Sequence, residues 1–167
     1  MTAGGSTDNF YGKYRGKVED NEDPKKKGRL QVSVPAVLGS NGRSWAMPCV
    51  PYAGKGVGLF AIPPKGTNVW VEFEGGDPDY PIWTGCFWGD GELPSTASAP
   101  DVKVLKTEEC SITLDDSSGK AKIAIETKAG MKIIIDSNGI EIDDGKNGSI
   151  KLSGPKVAIN GDALEVT

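Results

Sequence analysis

Lys25-Lys26-Lys27-Gly28-Arg29 is the densest cationic run in the sequence, the residue type that phosphate oxygens call for. Glu19, Asp20, Glu22 and Asp23 flank it, so the run reads as a solvated hairpin loop rather than a nucleic-acid patch. Gly54-Lys55-Gly56-Val57-Gly58 has the glycines of a phosphate loop. It fits neither the G-x-G-x-x-G spacing nor the Gly-Lys-Ser/Thr ending of a P-loop, which leaves a turn between strands. Three acidic stretches, Asp115 to Gly119, Asp136 to Gly139 and Asp143 to Gly148, offer oxygens that suit calcium. None completes an EF-hand loop or a glycine-rich calcium-binding nonapeptide, and tight turns account for them. The chain has no histidine, which removes Ser-His-Asp and Cys-His arrangements. Cys49, Cys86 and Cys110 are odd in number and lack C-x-x-C spacing, so neither a disulfide framework nor a zinc site is indicated. The carboxylates fall on turns and wet strand faces, where no pocket would raise a pKa, although sequence alone leaves a glycosidase pair open. The expectation is a non-enzymatic protein without cofactor or metal.

The elements that carry these residues fall into two halves. All twelve aromatic residues lie between Phe10 and Trp88, and the stretch to Thr167 has none. Since aromatics normally dominate a compact core, the second half must be built differently. Charge divides at the same place: residues 1–89 carry ten Lys/Arg against nine Asp/Glu, and residues 90–167 carry nine against fourteen. The resulting balance of −4 gains nothing from neutralising phosphates and argues against a nucleic-acid partner. Residues 1–11 read as a flexible leader without a signal-peptide pattern, which predicts synthesis in the cytoplasm and export by some other machine.

In residues 12–89, strand-like runs at Tyr14–Glu19, Arg29–Val34, Trp45–Pro48, Gly58–Ile62, Asn68–Phe73 and Pro81–Trp88 alternate with Gly, Pro and Asn turns. Five or six short strands with no helical period predict a small closed barrel of the OB type. Residues 90–104, with Pro94 and Pro100, read as a linker.

Residues 105–167 are repetitive. Ile112 and Leu114, Ile123 and Ile125, Met131, Ile133 and Ile135, Ile140 and Ile142, Ile150 and Leu152, Val157 and Ile159, and Leu164 and Val166 each stand at period 2 before a Gly, Asn, Asp or Ser turn. Each strand therefore has one narrow aliphatic face and one solvated face. A single layer of such strands leaves its stripe and its edges open to water. Burial by one copy also falls short of the cost of ordering the chain. Both faults vanish if three chains share the aliphatic axis, which predicts a homotrimeric β-prism with Ile112 to Ile159 of this series as its core. A single-chain β-solenoid is the alternative.

Tyr14 to Pro24, Gly28 to Pro35, Trp45 to Pro48, Pro63 to Asp77 and Tyr80 to Gly85 resemble, in order, the strands of the OB domain in phage baseplate assembly V proteins, central tail spikes and the VgrG proteins of type VI secretion. Lys106-Thr107, Ile112 to Asp116 and Gly130 to Ile133 are similar to the start of the needle in VgrG-like spikes. The resemblance implies an all-β chain, an OB-fold barrel followed by an intertwined triple-stranded β-helix. It would serve as the membrane-puncturing central spike of a contractile injection machine and touch the target membrane only transiently. It also implies hub and tube proteins at the barrel end and a PAAR-type tip protein on Leu164, Glu165, Val166 and Thr167. Glu109-Cys110 stands where VgrG-like sequences usually have Gly-His, and without histidine the iron-binding tip of some phage spikes has no counterpart. The hub region of full VgrG proteins and the lysozyme domain of some spikes have none either, so other subunits would supply them. Two rival readings are compatible with the sequence. One is an OB-fold oligonucleotide- or carbohydrate-binding module with a fibrous trimerisation tail, and the other is a tail fibre, which would normally end in an aromatic-bearing tip.

Overall fold

The computed structural model describes residues 9–97, 99–119, 121–161 and 163–166, except the side chains of Glu165 and Val166. It divides into two units, Met1–Gly91 and Glu92–Thr167.

In the first unit the strands β1 (Tyr14–Asp20), β2 (Leu30–Ser33), β3 (Arg43–Pro48), β6 (Asn68–Phe73) and β7 (Pro81–Cys86) close a barrel in the order β1-β2-β3-β7-β6. All joins are antiparallel except β3 with β7, where Met47 faces Ile82 and Pro48 faces Trp83. A parallel join needs a crossover, supplied here by the long passage from Cys49 through β6. Val69, Val71 and Phe73 point inward and their neighbours outward, as the period of 2 dictates. They bury with Val18, Leu30, Val32, Val34, Ala46 and Trp83. Gly16 sits where the wall curves tightest, since a Cβ there would press on the Ser33 carbonyl and on Val71.

Three local features depart from the sequence reading. Phe10, assigned to the leader, packs edge-on to Tyr14 and tilted to Phe73, both with centroids 6.2 Å away, while its N–H donates to the Gly76 carbonyl. Residues 1–8 lie outside the described residues. A one-turn helix α1 (Pro35–Leu38) starts on a proline between β2 and β3. The expected strand Gly58–Ile62 is absent: only a two-residue hairpin forms, β4 (Ala53–Gly54) with β5 (Val57–Gly58), and Leu59 to Gly66 run outside the sheet. Pro63 and Pro64 lack the N–H groups a ladder needs, so apolarity there does not signal pairing.

The second unit is one antiparallel meander in which each strand pairs only with its chain neighbours. Its strands are β8 (Val102–Lys106), β9 (Cys110–Asp115), β10 (Lys122–Thr127), β11 (Lys132–Asp136), β12 (Gly139–Asp143), β13 (Ser149–Ser153), β14 (Lys156–Ile159) and β15 (Leu164–Val166). The repeats do not coil back on themselves within the chain, as a single-chain solenoid requires. β8 begins inside the stretch read as linker, because Val104 and Leu105 side by side obscure the alternation that marks the later strands.

Candidate functional site

Register turns the repeats of the second unit into two continuous rows. Ile112 faces Ile125, then Ile133, Ile142, Ile150, Ile159 and Leu164 across successive strands. Leu114 faces Ile123, then Ile135, Ile140, Leu152, Val157 and the backbone position of Val166. Seven strands at about 4.8 Å spacing make each row roughly 30 Å long. Every described side chain in the two rows is 36–54% exposed, and Met131 beside Ile133 is 47% exposed. Soluble monomers rarely leave so continuous an apolar surface open. Leu105, facing Ile112, extends the first row by one strand, which the sequence reading missed because it began the needle at that residue without giving it a strand.

The opposite face has another chemistry. Thr113 and Ala124, opposite one another on β9 and β10, are buried there, and Lys132 bonds Glu141 at 2.9 Å and lies 3.8 Å from Asp143. The Glu141 carboxylate beside it raises the Lys132 ammonium above its ordinary pKa. Lys103, facing Leu114, lies at the β8 margin of the aliphatic face and pairs with Asp116, and Lys128 pairs with Glu109; both pairs are exposed enough to add solubility more than stability. One face therefore asks for cover and the other for water.

The acidic turns spend their oxygens on backbone. Asp144 Oδ1 accepts the N–H groups of Lys146, Asn147 and Gly148 at 2.8–3.0 Å, which holds its carboxyl below the usual range. Asp115, Asp136 and Asp143 each accept the N–H two residues on. Gly130 and Gly145 bring two turns along the same margin into backbone contact.

In the barrel, the lysine-rich loop is organised by Asp23. Its carboxylate accepts the N–H groups of Lys25, Lys27 and Arg29 and a two-pronged bond from the Arg29 guanidinium at 2.6 and 3.0 Å. The guanidinium above all, then these amides, keep the carboxyl far below the ordinary carboxylate range. Arg29 also lies 5.1 Å from the ring centre of Trp45, and Arg15 covers both Trp70 and Phe87. Trp45, Trp70 and Phe87 thus already carry guanidinium groups on faces that could otherwise stack bases. The Gly54–Gly58 stretch is the β4–β5 hairpin.

Among the tip residues, Leu164 is exposed and β15 forms an edge of the sheet. Thr167 lies outside the described residues. No helix among the described residues is long and apolar enough to cross a membrane.

Residues 14–88 match the type VI secretion system/phage-baseplate injector OB domain, and residues 102–165 match the phage baseplate V C-terminal trimerisation domain. The chain is also 31% identical over 123 residues to the actin cross-linking toxin VgrG1 of Vibrio cholerae serotype O1, a stretch that takes in 66% of this chain and 11% of that protein. The first match spans the closed barrel from β1 to β7, and the second runs from the first strand of the meander into its last. The chain belongs to the phage baseplate V/VgrG-like family of spike proteins and is an all-β homotrimer, an OB barrel followed by a trimerisation domain.

Proposed function

We propose that three copies of the meander close aliphatic face to aliphatic face into a β-prism, the membrane-piercing needle at the centre of a contractile injection machine. The observation that supports this is the pair of unbroken aliphatic rows, open to water on one chain and backed by a charged outer face. Ile112, Leu114, Ile123, Ile125, Met131, Ile133, Ile135, Ile140, Ile142, Ile150, Leu152, Val157 and Ile159 form the shared core in this reading. An interior of aliphatic rungs is narrow, which accounts for a second half without aromatics. Cross-strand hydrogen bonds along the meander spread axial load over many groups, which suits a rod that is pushed.

The barrels in this reading adapt the needle to a hub and inner tube. Leu164, Glu165, Val166 and Thr167 carry a PAAR-type tip protein at the C-terminal end. The role needs no catalytic residue, cofactor or nucleic acid, and the chain acts only after assembly into the injection particle. Removal of Asp162 to Thr167 tests the polarity. The shortened protein is expected to remain a trimer and to lose its tip protein, whereas unchanged tip binding would refute the assignment.

A further inference from the structure

The barrel carries an apolar surface that its own core does not explain. From Cys49 to Pro63 the chain has one charged side chain, Lys55. The Leu59 N–H donates to the Tyr52 carbonyl at 2.9 Å, so the hairpin folds back and gathers Tyr52, Val57, Leu59 and Phe60 beside one another. These side chains are 54–80% exposed and line a cleft of about 430 Å³. Its wall includes Trp83, whose indole N–H donates to the Gly28 carbonyl at 3.2 Å. Lys26 and Lys27 also line it, on a loop that Asp23 fixes by accepting the Lys27 N–H at 2.7 Å. No carboxylate lines the cleft, and neither lysine has an ion-pair partner among the described residues. The cleft is thus apolar within and cationic at its rim, with its cations uncompensated.

We propose that this cleft is a docking site for an acidic segment of another protein of the assembly, one that presents an apolar side chain flanked by carboxylates. The proposal rests on the adaptor reading of the barrel and names the chemistry of the surface it would use. Charge complementarity selects the occupant: closing the cleft strips water from two ammonium groups, which is favourable only when the incoming surface brings opposite charge. Two copies meeting cleft to cleft would set cation against cation, which is repulsive, whereas a threefold neighbour would present a different surface, a case that hydrogen exchange in the trimer reads.

The test uses the trimeric full chain and two synthetic peptides, one with a Leu–Phe centre flanked by glutamates and one with lysines in place of the glutamates. Binding is followed by the NMR signal of the Trp83 indole N–H. The acidic peptide is expected to shift that signal in a salt-sensitive way, with the lysine peptide about tenfold weaker. Joint Lys26→Glu and Lys27→Glu substitution should reverse the order, and Phe60→Ser should weaken the acidic peptide. If the reversed charges prevent folding, Lys26→Gln with Lys27→Gln should abolish the preference. Equal binding of both peptides, or shifts that leave Trp83 untouched, would overturn the proposal. Tighter binding of an oligothymidylate at the same signal would do so in favour of nucleic acid. Slow hydrogen exchange across residues 52–60 in the trimer alone would do so in favour of a neighbouring copy. None of these results alters the oligomeric state, so the proposal can fail while the spike reading stands.

Discussion

Ile133 lies near the middle of the first aliphatic row, between Ile125 and Ile142, and is 38% exposed on a single chain. Full burial of an isoleucine side chain contributes about 1.5–3 kcal/mol. Covering the exposed 38% on association is therefore worth roughly 0.6–1 kcal/mol per chain, or about 2–3 kcal/mol for the three copies in a trimer. Ile133→Ala forfeits most of that and leaves three cavities, so the trimer association constant should fall on the order of a hundredfold. Ile133→Asp goes further by placing three carboxylates in an apolar interior that cannot solvate them. That protein is expected to sediment as a single chain at concentrations where the parent is a trimer. Lys151→Ala on the outer face is the matched control and should leave the trimer intact. The reasoning fails if Ile133→Asp stays trimeric under these conditions, or if the outer-face change dissociates the protein equally.

Asp23 is held far below its ordinary pKa in the fold, so the unfolded chain binds its proton first as pH falls. Its contribution to barrel stability is therefore fully present above about pH 4 and drains away below that. A series of melting temperatures from pH 6 to pH 2 should show this acid-sensitive loss, and Asp23→Asn should lower the plateau and flatten the slope. Gly139 has φ near +130, and a Cβ there would collide with the Leu152 carbonyl oxygen. Gly139→Ala should cost about 1–3 kcal/mol per chain and loosen the β12–β13 register, seen as faster amide exchange at Ile140 and Leu152. Leu105→Ser removes the rung outside the predicted core and should weaken the trimer less than Ile133→Ala in the same sedimentation assay.

The second unit was legible because a two-residue period with fixed turns leaves little choice of partner. Ile123 and Ile125 share a face in any strand, and short turns bring Ile135 and Ile133 opposite them. The barrel strands were legible for the same reason, with Val69, Val71 and Phe73 buried in alternation. What escaped had no period to read. Val104 and Leu105 serve opposite faces of β8, so their adjacency hid the alternation and the first three residues of the strand fell within the linker. Phe60 to Ile62 is apolar without belonging to a strand, and only the surrounding fold shows that Phe60 faces water. The Asp23 network was hidden because a capping carboxylate and a solvated one look alike in sequence. Its surroundings gave a hint, since Pro24 and Gly28 mark a tight loop that one acceptor can hold together.

The account depends on the aliphatic rows being covered by other copies of the same chain. Sedimentation equilibrium across a dilution series tests this most directly. A mass of three times 17.6 kDa, about 53 kDa, maintained on dilution is the predicted result. Folded single chains of 17.6 kDa with the meander intact would contradict it.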